Sequence, residues 1–308
     1  MRKYLTDVLV VARLLRSELR RWSYIFRRAL WGCLLILALG LMAGPAYTKL
    51  IRWAGSKLPI AKVIEKHMDF SLPYYEAFAG SAAIFFRNSP QVAHLNDANE
   101  DLINLYRHIS ESPDTVWEIY SQFPDTKEAY YAARDAYNAE VQGPERSAIF
   151  LFLNHLCFNG IYRTNKAGKF NVPHGGRKQA KISREQYDVL TEKIRGAKFY
   201  SEDFERFFEL TQPENANIFL DPPYYVEGVR VFREYSATPF CADDLLRLKT
   251  CTERLASRGN KIVLTYLDTE QFRGIFGNYI VETINVSRNI GGFKDRRAAK
   301  AELIAVIN

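Results

Sequence analysis

"NIFLDPPYYVEG" (Asn217–Gly228) places an acid, two prolines and two tyrosines directly after a short apolar run. Ile218, Phe219 and Leu220 read as a short buried strand. Asp221 ends it. Pro222 and Pro223 lack an N–H and have a fixed φ, so they cannot continue a ladder, and the chain leaves the strand in a stiff, extended turn. Turn chemistry alone admits two readings. One is a solvated strand end with two tyrosines packed on the core. The other is a strand end that presents Asp221 for chemistry.

The flanking chain has the same rhythm. "YYEAFAGSAAIFF" (Tyr74–Phe86) reads as a strand, a small-residue turn and a helix. "VAHLNDANEDLINLYRHI" reads as a strand ending at Asp97, then a helix. "NKIVLTYLD" (Asn260–Asp268) is a strand preceded by the helix "DDLLRLKTCTERLASRG", and the final "AELIAVIN" reads as an edge strand. "LPIAKVIEKHM" (Leu58–Met68) has helical spacing. Alternating strands and helices predict a mostly parallel, doubly wound α/β sheet. Ligands of such sheets sit at the carboxyl ends of strands. Asp97, Asp221 and the Ala79–Ala82 turn all fall there, which favours the chemical reading of Asp221. Residues from about 107 to 196 break the alternation, with helical patterns and no clear strand, as expected of a helical insertion.

The 308 residues are 47% hydrophobic and 25% charged, enough for a sizeable core in one large domain or two smaller ones. Cys33, Cys157, Cys241 and Cys251 form no C-x-x-C pair, and no His lies at zinc-finger spacing, so neither a metal site nor a disulfide framework is expected. The net charge is +7, but residues 1–28 hold eight basic and two acidic side chains and so carry six of those charges. The body is nearly neutral, and any case for nucleic acid must rest on local charge. After Arg28 comes "ALWGCLLILALGLMAGPAYT", with no charge until Lys49. This fits a membrane or signal anchor within residues 29–47, although its most apolar part is short and Gly40, Gly44 and Pro45 break its end. The same stretch equally fits a natural start at Met42, with residues 1–41 as an upstream extension.

Two further features point to chemistry. Small residues in "FAGSAA" let backbone approach a ligand at a helix N-terminus. Asp97 is placed to accept both hydroxyls of a ribose, to cap the next helix, or to do both. The insertion holds "CFNGIYRTNKAGKFNVPHGGRKQAKISR" (Cys157–Arg184). From Arg146 to Arg184 there are eight Lys or Arg (146, 163, 166, 169, 177, 178, 181 and 184) and no acid. Phe158, Tyr162, Phe170, Asn159, Asn165 and Asn171 interleave with them. Cations neutralise phosphates, Arg and Asn read base edges, and aromatics stack on bases, so the stretch favours nucleic acid over a merely solvated face.

In this order the pieces resemble the Dam-type, D12 class of DNA adenine-N6 methyltransferases over residues 49–308. "IRWAGSK" is similar to the family's W-A-G-G-K, with Ser56 for a glycine. "EAFAGSAAIFF" is similar to E-P-F-x-G-x-G-S, with Ala77 for proline and Ala82 for the second glycine. "NDAN" and "SEDF" match the acidic and cofactor-adenine motifs. "FNGIYRTNKAGKFNVPHG" is close to F-N-G-x-x-R-x-N…G-x-F-N-V-P-[FY]-G, with His174 for the aromatic, and "DPPYY" contains D-P-P-Y.

The resemblance implies a Rossmann-like, doubly wound, mostly parallel sheet with an inserted helical target-recognition domain. Residues 48–106 and 197–308 would form the catalytic domain, 107–196 the recognition domain, and 1–47 an extension. It implies S-adenosyl-L-methionine as cofactor, held by Trp53, Lys57, Phe78, Gly80, Asp97, Asp203, Phe204 and Asp221. It implies double-stranded DNA as partner, contacted by Phe158, Asn159, Ile161, Arg163, Asn165 and Lys166, with Arg163 reading a guanine. Asp221, Pro222, Pro223 and Tyr224 would be catalytic. The adenine leaves the stack, the Asp221 carboxylate and Pro222 carbonyl accept its N6 hydrogens, and Tyr224 stacks on the ring. The expected target is the adenine of GATC. The expected enzyme is a metal-free, cytoplasmic monomer, tethered to the inner membrane only if residues 29–47 are an anchor. Methylation of RNA adenine or a protein amide, and a silent DNA-binding member, stay open.

Overall fold

The computed structural model describes residues 49–176, 181–225, 240–286 and 300–308. The N-terminal extension, with its anchor and late-start readings, lies outside the described residues, as do Arg177 and Lys178. Residues 49–308 form one compact unit.

Its frame is a seven-stranded sheet. The strands are β1 (Tyr74–Glu76), β2 (Ala93–Asn96), β3 (Lys198–Tyr200), β4 (Asn217–Leu220), β5 (Lys261–Leu267), β6 (Ile280–Val286) and β7 (Lys300–Ile307). They lie in the order β3-β2-β1-β4-β5-β7-β6. The first five are parallel, and β7 runs antiparallel to both neighbours. The chain winds outward from β1 through β2 to β3, then returns to β4 and winds the other way. That reversal opens a crevice at the carboxyl ends of β1 and β4, where such sheets bind ligands. Glu76 ends β1 paired with Leu95 and Phe219, and Leu220 ends β4 paired with Leu264. The Ala79–Ala82 turn, Asp97 and Asp221 therefore share one edge of the sheet, as predicted.

Ile218, Phe219 and Leu220 are 0–1% exposed, so β4 is buried on both faces. Truncating any of them to alanine removes ~2–5 kcal/mol. One expectation is corrected here. "AELIAVIN" is not an edge strand: β7 lies between β5 and β6. Leu303, Ile304 and Ala305 are all fully buried, so both faces of β7 are covered, which an edge position does not do. The edge is β6, where Val281 is 49% exposed.

The helices are α1 (Ala61–Glu65), α2 (Ala83–Asn88), α3 (Glu100–Glu111), α4 (Pro113–Gln122), α5 (Lys127–Asn138), α6 (Gly143–Leu156), α7 (Arg184–Ile194), α8 (Phe204–Thr211), α9 (Ala242–Ala256) and α10 (Glu270–Phe276). From residue 107 to 196 the described residues form helices and two isolated bridges. Every residue from Ser147 to Leu156 is buried, which makes α6 a central helix rather than an amphipathic one. It packs against α3, α4 and α5, and α3 in turn packs on β3.

Candidate active site

Asp221 leaves the sheet where β4 ends, and partners from distant parts of the chain hold it. The Lys57 ammonium donates to its Oδ2 at 2.6 Å, and Thr265 Oγ1 of β5 stands 3.0 Å from its Oδ1. Lys57 also donates to the Gly55 carbonyl at 2.8 Å. Burial raises the Asp221 carboxyl, while the charge of Lys57 and the hydrogen bonds of Lys57 and Thr265 pull it down. Burial also works against the Lys57 charge, but Asp221, with Tyr224 and Glu302 nearby, outweighs it and holds the ammonium above its ordinary range. At 2.6 Å the two form an ionised pair.

Beyond Asp221, Pro222 is buried and Pro223 exposed. The Tyr224 ring has the Lys57 nitrogen 5.5 Å from its centroid and meets Tyr266 edge-on at 5.1 Å and 80°. Its hydroxyl lies 3.3 Å from Oε1 of Glu302. The second tyrosine contributes backbone: Tyr225 N–H donates to the Tyr266 hydroxyl at 2.7 Å.

The turn after β1 forms the other side of the crevice. Gly80 has φ +46°, and a Cβ there would come within 2.9 Å of Trp53 Cδ1, so glycine lets the indole lie on the backbone. Gly80 N–H donates to Asp97 Oδ2 at 2.8 Å, and Ser81 Oγ to Ser56 Oγ at 2.9 Å. Asp97 also accepts Asn99 N–H at 2.9 Å, and burial raises its carboxyl. The capping role weighed for Asp97 belongs instead to Asn99, whose side chain accepts Leu102 N–H at 3.0 Å. Asn96 ties three strand ends together: its amide donates to the carbonyls of Ala77 and Glu202 at 2.9 and 3.0 Å and accepts Glu202 N–H.

Phe78 packs on Phe204 (5.7 Å) and, edge-on, on Phe240 (6.3 Å). Asp203 caps α8 by accepting Glu205 N–H, and Arg247 of α9 pairs with it at 2.8 Å while lying 4.9 Å from the Phe204 centroid. The site residues read from sequence thus form two joined groups, Lys57–Asp221–Tyr224 and Trp53–Gly80–Asp97, with Phe78–Asp203–Phe204 beside them. Sequence reasoning missed Thr265, Tyr266, Arg247, Glu302 and Glu76. Glu76 is buried at the end of β1 and accepts the Tyr74 hydroxyl at 2.8 Å, and burial pushes it well above the carboxylate range. An acid opening "EAFAG" was its one visible signal.

A family model for the D12 class N6 adenine-specific DNA methyltransferases matches residues 53–290. The chain belongs to this family. It is 28% identical over 268 residues to a type II methyltransferase, M1.LlaDCHI of Lactococcus lactis subsp. cremoris, covering 82% of this chain and 93% of that one. It is 30% identical over 272 residues to type II methyltransferase M.MjaIII of Methanocaldococcus jannaschii, covering 80% and 94%. It is 29% identical over 262 residues to a DNA adenine methylase of Vibrio cholerae, covering 83% and 94%.

In this DNA adenine methyltransferase, Arg52 joins the crevice to the helical region. Its guanidinium donates to the carbonyls of Asn154, His155 and Cys157 (3.0, 3.1 and 2.7 Å), satisfying the end of α6. A Cβ on Gly160 (φ +64°) would fall 2.3 Å from Arg52 Cβ, so "FNG" closes directly over it. Phe158 is 48% exposed, and Asn159 is exposed with φ +55°. Ile161 and Arg163 are half-buried, and Arg163 Nε donates to Asn171 Oδ1 at 2.7 Å. Asn165 Oδ1 accepts the N–H groups of Ala167 and Lys169, building a tip on which Lys166 is exposed. Tyr162 stacks on Trp53 at 5.9 Å.

Three cations of the acid-free stretch serve the fold instead. Arg146 pairs with Asp101, Lys181 donates to carbonyls at the end of α4, and Arg184 pairs with Asp114 and Asp188. Among the described residues no group of three or more His, Cys, Asp or Glu could hold a metal ion, and no helix is long and apolar enough to cross a membrane.

Proposed function

We propose that this methyltransferase uses S-adenosyl-L-methionine to methylate N6 of an adenine flipped out of duplex DNA, within GATC. The observation that carries the reading is the buried Lys57–Asp221 pair at the carboxyl end of β4, on the same sheet edge as the Gly80–Asp97 hydrogen bond after β1 and β2. The residues fit the cofactor. Gly80 lets the Trp53 indole lie on the backbone of the turn, Asp97 offers a carboxylate of the kind that accepts ribose hydroxyls, and Phe78 and Phe204 offer apolar rings to a purine. Trp53, Lys57 and Asp203 complete its surroundings. When bound, the cofactor supplies an activated methyl group.

The chain's own residues supply orientation and charge. The lone pair of N6 is delocalised into the purine, so the amine is a poor nucleophile. Asp221 and the Pro222 carbonyl accept its hydrogens, favour a pyramidal nitrogen and stabilise the positive charge that develops there. A carboxylate oxygen has two lone pairs, so Lys57 on Oδ2 and Thr265 on Oδ1 leave acceptor sites for an amine. Pro223 stiffens the turn, and Tyr224 stacks on the flipped ring. Residues 107–196 serve as the target-recognition region, with Phe158, Asn159, Ile161, Arg163, Asn165 and Lys166 toward DNA. Long-read modification sequencing of DNA from cells expressing the full chain tests this. N6-methyladenine in one short motif is expected, and none with Asp221→Ala. Unmodified DNA with the wild-type chain would overturn the proposal, and methylation outside GATC would overturn the target alone.

A further inference from the structure

The segment from Asp221 to Tyr225 lies beyond the sheet ladder. Pro222 and Pro223 offer no N–H, and β4 has ended. Two consecutive residues of the neighbouring strand β5 reach it, beside Lys57 and Glu302. Successive side chains leave a strand on opposite faces, so Thr265 and Tyr266 reach the segment by different routes. Thr265, fully buried, has its Oγ1 3.0 Å from Asp221 Oδ1 and 3.3 Å from the Leu220 carbonyl. A hydroxyl has one proton, and the closer, charged acceptor takes it. Tyr266 is also fully buried, with its ring stacked on Phe272 at 4.7 Å and 8°. A ring fixed in this way presents its hydroxyl to Tyr225 N–H at 2.7 Å and its face or edge to Tyr224 at 5.1 Å.

We propose that Thr265 and Tyr266 are positioning residues for methyl transfer: Thr265 aims the Asp221 carboxylate, and Tyr266 fixes the far end of the turn so that the Tyr224 ring keeps one orientation. The proposal rests on the reading of Asp221 and Tyr224 given above. The groups facing Asp221 are Lys57, Thr265 of β5, Glu302 of β7 and Glu76 of β1, with Tyr224 on its own segment. Thr265 is one of the groups that lower the Asp221 carboxyl against the effect of burial. Removing its hydroxyl moves that carboxyl up, and the pH below which the acceptor is protonated and activity fails moves up with it.

The test compares full-length wild type with Thr265→Val, Thr265→Ser, Tyr266→Phe and Asp221→Ala. Readouts are kcat and its acid limb, S-adenosylhomocysteine affinity by calorimetry, melting temperature, and fluorescence of 2-aminopurine at the target adenine. Thr265→Val is expected to lower kcat about tenfold and move the acid limb upward, and Thr265→Ser to return both to near wild type. Tyr266→Phe is expected to lower kcat about tenfold and weaken the flipping signal without moving the acid limb. S-adenosylhomocysteine affinity stays within about twofold in all three. An active Asp221→Ala overturns the reading of the site itself. An inactive Asp221→Ala beside Thr265→Val and Tyr266→Phe that match wild type in kcat, acid limb and flipping signal overturns the positioning proposal alone.

Discussion

The Lys57 ammonium and the Asp221 carboxylate lie 2.6 Å apart although 164 residues separate them, and their side chains are 5% and 19% exposed. Removing one partner of such a pair leaves a buried charge without compensation, which costs ~3–5 kcal/mol. Lys57→Met is therefore expected to destabilise the fold at pH 7 by about that amount, and adding Asp221→Asn to recover much of it. The sign with pH follows. Without Lys57 the folded-state pKa of Asp221 lies further above its unfolded value, so the Lys57→Met protein regains relative stability in acid and loses it as pH rises through that pKa. Urea unfolding of the single and double variants from pH 4 to 8 measures both effects.

Two buried histidines predict an acid limit to stability. His155 has Nδ1 2.7 Å from the Tyr120 hydroxyl and Nε2 2.8 Å from the Leu50 carbonyl. His94 lies between Tyr75 and Tyr200, with its ring 4.5 Å from that of Tyr75. Burial lowers both to about 4. The unfolded chain then binds more protons below pH ~6.5, so the stability these groups give is full above that pH and is lost as pH falls toward 4. Each is worth on the order of 2 kcal/mol between pH 7 and pH 5. Melting temperatures across that range should fall steeply for wild type and less steeply for His94→Phe.

Ala82 predicts a stabilising substitution. It occupies φ +46°, ψ +39° at the head of α2, a left-handed conformation that costs an L-residue ~1 kcal/mol and glycine little. Glycine is also what the family motif carries at this position. Ala82→Gly is expected to raise the melting temperature by about 2–4 °C, as calorimetry would show. An unchanged or lower melting temperature would mean that the left-handed turn is not strained.

What the sequence disclosed and withheld follows from how the residues act. The strands ending at Glu76, Asn96, Leu220 and Leu267 announced themselves as apolar runs closed by acids or turn residues, and the D12 motifs lie on the loops that follow three of them. β3 gives no such run, because its three residues lie at the sheet's edge, none is fully buried and Lys198 is exposed. β7 was legible as a strand, but its place in the sheet was not, because order is decided by tertiary pairing and not by the strand's own composition. Thr265, Tyr266 and Glu302 look like ordinary strand residues. Only the pairing of β5 with β4, and of β7 with β5, carries them to the catalytic turn. Arg146 and Lys181 counted as phosphate-binding cations in the sequence, because their partners Asp101 and the end of α4 are distant in the chain.

That division of the cations predicts which of them DNA binding senses. A protein that neutralises Z phosphates loses log affinity with log salt at a slope of about −0.9Z on duplex DNA. Lys166 sits at the exposed loop tip built by Asn165, and Lys169 is exposed beside it. Arg146 is occupied by Asp101 and by the carbonyl of Tyr137. Lys166→Ala and Lys169→Ala are each expected to make the salt slope shallower by about one and to leave the melting temperature unchanged. Arg146→Met is expected to lower the melting temperature, because Asp101 loses its charged partner, while the salt slope keeps its wild-type value. Fluorescence anisotropy with a labelled duplex across a salt series, run beside thermal melts, separates the two kinds of lysine and arginine. A slope that Arg146→Met alone makes shallower would reverse the assignment.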